Sequence, residues 1–157
     1  MTEARTILLV CTGNLCRSPM AMGFLRERLR REGRQDDVRV RSVGTWTVEG
    51  NPVTEVARQV MAERGLDISD HRSHTLTVQD VEGADLILVM TQNHREAIAA
   101  EFPQLQGRTY LLSEMVGRSY DIPDPYNAPP SAYRRTADEL EALIEEGYEK
   151  ILELAGA

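Results

Sequence analysis

The sequence predicts an α/β fold in three layers, a four-stranded, mostly parallel sheet flanked by helices. Three observations predict it. Short apolar runs, among them Ile7–Val10 and Leu86–Met90, have the length and content of buried strands. Segments between such runs carry apolar residues at helical spacing. The two kinds of segment alternate, and that order builds a parallel sheet with right-handed crossovers and helices on both faces.

Thr6–Val10 reads as the first strand, buried on both faces. Ala21, Leu25 and Leu29 then recur at helical spacing, and Arg30, Arg31 and Gly33 mark the stop. Val38–Val43 alternates as a second strand. Asn51-Pro52 reads as the cap of a helix carrying Val53, Val56, Ala57 and Val60, with Gly65 ending it. Leu86–Met90 is the third strand. Thr91 caps a helix that must stop before Pro103. Thr109–Leu112 is the fourth strand, and Tyr133, Ala137, Leu140, Ile144 and Ile151 mark a long final helix. Residues 113–131 form the main irregular stretch, and a long loop of this kind often carries function.

A chain of 157 residues is expected to form a single domain, 1–157, with a sizeable core. The net charge of −7 argues against general nucleic-acid binding and against an anionic membrane surface. No apolar run is long enough to span a bilayer, and nothing at Met1–Arg5 resembles a secretory signal, so a cytoplasmic location is expected. The two cysteines share one loop, which fits a reducing compartment better than a disulfide framework.

That loop is the most informative part of the chain. Cys11-Thr12-Gly13-Asn14-Leu15-Cys16-Arg17-Ser18 follows the first strand directly, and ligands of open α/β sheets bind at the carboxyl ends of strands. A cysteine attacks as its thiolate, which needs positive potential; a helix N-terminus and an arginine both supply it. Gly13 is expected to permit the tight turn, and Asn14 tolerates positive φ. Ser18 and Pro19 read as N-cap and first helical residue. Arg17 offers a planar fork suited to two phosphoryl oxygens. The amides of Thr12, Gly13, Asn14, Leu15, Cys16, Arg17 and Ser18 would complete a cradle for a phosphate-like oxyanion.

Val10 to Pro19 resembles the phosphate-binding loop of the low-molecular-weight protein tyrosine phosphatases, and the resemblance covers nearly the whole chain. It implies a general acid in an Asp-Pro-Tyr segment near the C-terminus, which Asp124-Pro125-Tyr126 matches. It further implies a two-step reaction: Cys11 attacks phosphorus, Arg17 and the amides hold the equatorial oxygens, and Asp124 protonates the leaving group and then activates water. Ser18 matches the serine that stabilises the sulfur anion. Asn14, Ser42 and His71 match residues that pin the loop, and Leu15, Trp46 and Tyr126 match the walls of the substrate cleft. No metal or cofactor is expected, and the implied partner is a phosphorylated protein, preferably on tyrosine. The run Met90-Thr91-Gln92-Asn93-His94 looks like bacterial members, which include protein arginine phosphatases; those carry threonine where Leu15 stands. Asn127 replaces the second tyrosine found in many eukaryotic members.

Other readings are weaker. Asp121 and Asp138 compete for the acid role but lack the motif. A zinc site from Cys11, Cys16, His71 and His74 conflicts with the cysteine spacing and the loop glycine. Arsenate reduction on this fold needs further cysteines downstream, and none follows Cys16. Nucleotide-binding glycine patterns are missing. A phosphate sensor without turnover would have no use for the thiol and the acid together. Cys16 is a candidate partner for an oxidised Cys11, against the plainer reading of a small buried residue. The acidic stretch from Asp138 to Glu149 reads as a solvated helix face.

Overall fold

The computed structural model describes residues 3–157; Met1 and Thr2, which open the segment read for a leader, lie outside the described residues. Four strands form one sheet: β1 (Arg5–Cys11), β2 (Val38–Gly44), β3 (Leu86–Val89) and β4 (Thr109–Leu111). Their order is β2-β1-β3-β4, and all three pairings are parallel. The sheet is therefore wholly, not mostly, parallel. The helices are α1 (Arg17–Arg31), α2 (Glu55–Glu63), α3 (Val78–Glu82), α4 (Gln92–Glu101) and α5 (Pro130–Ala155), with 3₁₀ turns at Pro103–Arg108 and Leu112–Val116.

β1 alternates its side chains between two separate cores. Ile7 and Leu9 pack with α1, α2 and α5, whereas Leu8 and Val10 pack with Val81 of α3, Ile98 of α4 and Leu105. All four residues are fully buried, as a central strand covered on both faces requires. The acidic face of α5 is more than solvated: Asp138 and Glu141 pair with Arg64, and Glu145 with Arg28 and Arg31, tying α5 to the α1 and α2 side.

Two expected helix starts are corrected. Helix α1 begins at Arg17, with Cys16 at the cap position and no side-chain cap, so Ser18 is not the N-cap. Pro19 then falls within the first turn, where its missing N–H breaks no helical bond. Thr54, not Asn51-Pro52, caps α2, its hydroxyl accepting from the Ala57 amide; Pro52 instead bridges Arg72. The short α3 is an element beyond those expected, and Thr77 and Asp80 form a reciprocal capping box at its start.

β1 ends in Cys11 beside Gly44, the last residue of β2. A Cβ on Gly44 would stand 2.4 Å from the Thr12 carbonyl oxygen, so the Cys11–Arg17 loop packs onto this glycine. Gly13 is different: a Cβ there meets nothing closer than Leu15 at 4.0 Å, and its φ is not positive. The glycine that the close approach demands is therefore Gly44. Gly44→Ala is expected to cost about 1–3 kcal/mol of overpacking, because Thr12 must move. Denaturant unfolding of the variant beside the parent checks the loss.

Candidate active site

The loop between β1 and α1 is shaped by what its carbonyls bind. The Cys11 oxygen accepts from the Thr45 amide at 2.9 Å, Thr12 from the Trp46 amide at 3.3 Å, and Gly13 from the Thr47 hydroxyl at 2.7 Å. The Asn14 oxygen accepts from His71 Nε2 at 3.0 Å, Leu15 from the Thr54 amide at 3.1 Å, and Cys16 from the Met20 amide at 3.1 Å. Six successive carbonyls thus point away from the loop centre. Asn14 makes the turn possible by adopting φ 59°, where its short polar side chain is tolerated. Among the described bonds, none of the amides of residues 12–17 donates to a protein acceptor. They remain free as a ring of donors, continued by the open N-terminus of α1.

The Asn14 side chain knits the loop to its surroundings. Its amide donates to Ser18 Oγ at 2.9 Å and to Ser42 Oγ at 2.6 Å, and its oxygen accepts from the His74 amide at 3.0 Å. Ser42 in turn donates to Ser18 Oγ at 2.9 Å. Ser18 so receives two hydrogens, and its own is left for Cys11 Sγ at 3.0 Å, nearer than the Val43 oxygen at 3.4 Å. The group expected around the loop (Asn14, Ser18, Ser42 and His71) is brought together here. Burial lowers the His71 pKa, consistent with a neutral ring that donates through Nε2 to the Asn14 carbonyl.

Arg17 is 4% exposed. Its Nη1 donates to the Ile122 carbonyl at 3.0 Å, and its Nη2 lies 3.5 Å from Asp124 Oδ2. Asp124 is half exposed, and its Oδ1 accepts from the Tyr126 amide at 3.0 Å. The competing carboxylates are engaged elsewhere: Asp121 accepts from the Gln92 amide at the start of α4, and Asp138 pairs with Arg64. A pocket of about 300 Å³ is lined by residues 11–17, Trp46, Thr47, Val48, Asn51, Asp124 and Tyr126. Trp46 is 73% exposed and forms an open wall. Both thiols are free. The Cys16 sulfur lies 3.5 Å from the Tyr133 hydroxyl and 3.7 Å from that of Thr54. Burial raises the pKa of Cys16 and pushes Tyr133 up to about 12.

Sequence reasoning weighs His74 only as a zinc ligand and does not single out Thr47; both brace the loop and the pocket wall, a role no local pattern announces. His74 Nδ1 lies 3.0 Å from Glu49 and Nε2 2.9 Å from Asp80, which Arg41 also contacts. Two carboxylate acceptors demand two ring hydrogens, and the Glu49 bond above all raises the His74 pKa.

A buried arginine, a thiol and a ring of free amides at the carboxyl end of a parallel strand define a site for a phosphate-like anion. A family model described as low molecular weight phosphotyrosine protein phosphatase matches residues 6–153. The chain is 41% identical over 143 residues to the probable low molecular weight protein-tyrosine-phosphatase EpsP of Ralstonia solanacearum, covering 91% of this chain and 90% of that protein. It is 38% identical over 146 residues to a protein-arginine-phosphatase of Geobacillus stearothermophilus, covering 92% and 95%. The low molecular weight protein tyrosine phosphatase of T. tengcongensis has the same fold, with a TM-score of 0.88 at 38% identity over 94% of this chain and 99% of that one. The chain belongs to the low molecular weight protein tyrosine phosphatase family and is a phosphatase.

The His74 clamp gives a pH dependence with a definite sign. A histidine whose folded pKa is raised adds stability that is complete below its unfolded value, near pH 6.5, and is lost as pH rises through the folded value. His74→Gln should therefore lie furthest below the parent at pH 5.5 and converge with it toward pH 9. Urea midpoints across that range measure the gap.

Proposed function

We propose that this phosphatase hydrolyses phosphotyrosine in proteins through a cysteinyl-phosphate on Cys11. The observation that carries the reading is the outward turn of six carbonyls, which leaves the loop amides around Cys11 and Arg17 in one pocket with Asp124. In the first step Cys11 Sγ bonds to phosphorus as the ester oxygen departs with a proton from Asp124. The amides and the Arg17 fork hold the three equatorial oxygens, where charge is spread in the transition state. Ser18, its hydrogen aimed at Sγ, steadies the sulfur when it leaves in the second step. There Asp124 takes a proton from water, which attacks phosphorus and releases phosphate.

Leu15, Trp46 and Tyr126 supply apolar and aromatic walls that suit a flat phenyl ring. Likeness to the Geobacillus arginine phosphatase supports phosphoarginine as the second reading, in which Cys11, Arg17 and Asp124 of this chain keep the same tasks. Among the described residues no helix is long and apolar enough to cross a membrane. The two free thiols suit a reducing setting such as the cytoplasm.

Removing the acid should cost most where the leaving group needs it most. Asp124→Ala is expected to lower the rate about 10²–10³-fold on phenyl phosphate and far less on a nitro-substituted aryl phosphate. Equal losses on both esters would remove Asp124 from the acid role. Specificity is checked by kcat/KM on phosphotyrosine, phosphoserine and phosphoarginine with a chelator present. Phosphotyrosine is expected to lead; a clear lead for phosphoarginine would overturn the substrate assignment and leave the chemistry standing.

A further inference from the structure

The phosphate loop is gripped unevenly. In the sheet order, β1 lies between β2 and β3, so the loop at its end has a neighbour on each side. Thr45, Trp46, Thr47, Ser42, His71 and His74 all hold it from the β2 side. Among the described bonds to residues 12–16, one alone comes from the β3 side: His94 Nε2 to Thr12 Oγ1 at 2.8 Å. Thr12 is also where the backbone anchor is longest of the six, the 3.3 Å bond from the Trp46 amide. Trp46 itself sits on the exposed wall.

The direction of the His94 bond follows from its other nitrogen. His94 is the third residue of α4, and its Nδ1 faces the Thr91 amide at 3.2 Å in a reciprocal capping box. An amide N–H only donates, so Nδ1 carries no hydrogen. The hydrogen of the neutral ring is then on Nε2, and His94 donates to Thr12. Burial, then the nearby Arg17 charge, hold its pKa down at about 4, so this tautomer persists through neutral pH. His94 is 5% exposed and fixed to a helix start, a rigid mount for a short reach.

We propose that His94 is a positioning residue for phosphoryl transfer, fixing Thr12 so that the leading amides of the loop keep their aim at the equatorial phosphoryl oxygens. The proposal rests on the reading of Cys11 and the loop as the reacting site. It adds a support on the β3 side to the Asn14-centred group on the other. It also gives a task to His94, which the sequence displays only as the end of a bacterial-type run.

His94→Asn keeps an oxygen for the Thr91 amide but loses the reach to Thr12. His94→Gln reaches Thr12 again. Thr12→Val removes the acceptor at nearly constant shape on an exposed residue, so it tests the proposal even if His94 variants fold poorly. One neutral hydrogen bond sets the expected loss of kcat/KM in His94→Asn and Thr12→Val at about five- to tenfold. Vanadate, which mimics the five-coordinate transition state, should lose affinity by a similar factor, while inorganic phosphate changes less than about twofold. His94→Gln should recover most of the loss. The double variant should be no worse than either single one, because both remove the same contact.

Multiplying losses in the double variant, equal weakening of vanadate and phosphate, or no recovery in His94→Gln would each overturn the proposal. Cys11→Ser separates the two levels. Retained turnover there would sink the nucleophile reading itself, whereas a dead Cys11→Ser beside a fully active Thr12→Val would sink only the role of His94.

Discussion

The outward turn of the carbonyls from Cys11 to Cys16 is the constraint on which the rest of the molecule depends. A peptide unit that points its oxygen one way points its N–H the other. Six oxygens cannot be turned out of a buried loop without partners, since each unpaired one costs about 1–3 kcal/mol. The partners come from β1–α1 itself, from the end of β2, from the segment before α2 and from the His71 turn. Much of the chain between Ser42 and His74 is thus committed to holding one seven-residue loop open. The proposed function draws on this: amides kept from protein acceptors are free to donate to an anionic ligand.

The sheet makes this possible by putting β1 in the interior. Both neighbours run parallel to it, so their carboxyl ends converge beside Cys11. The two cores on either face fix the strand in depth, with Ile7 and Leu9 set against Leu8 and Val10. Gly44 lets the loop lie directly on the end of β2, and Asn14 supplies the single left-handed step that reverses the chain. Precision at the thiol is inherited from elements that cannot shift without disturbing a packed core.

The loop and the strands were legible because their signals are local. Apolar runs report buried strands, and Cys11 to Pro19 carries thiol, turn, arginine and helix start in ten residues. Asp124 was legible through its Asp-Pro-Tyr setting. The errors arose where tertiary contact overrides a local rule. Ser18 has the chemistry of an N-cap, yet its hydroxyl turns toward Cys11, because a capped helix start would consume amides the loop leaves free. Asn51-Pro52 looks like a helix start, but the chain there bridges Arg72, and Thr54 takes the cap. Apart from the His74 contact with nearby Asp80, His74 and Thr47 act through partners distant in sequence, such as Glu49 and Gly13, which no spacing rule reaches. The capping boxes at Thr77–Asp80 and Thr91–His94 were available signals; the second also explains why His94 faces the loop.

Charge is distributed to match. The chain carries a net −7, and many of its carboxylates are matched by arginines on the outer surface, within α2 and from α5 to the α1 and α2 side. Around the pocket the balance reverses: Arg17 is buried, the amide ring and α1 add partial positive charge, and Asp124 is the one carboxylate among the described residues of the lining. At distances beyond about 8–10 Å an anionic ligand meets a screened, net negative surface. Within the pocket it meets a desolvated guanidinium and oriented amides, where the effective dielectric is lower and attraction stronger. On the proposed function, recognition is therefore short-ranged: it would reward a group compact enough to fill the loop, and negative charge as such would gain little.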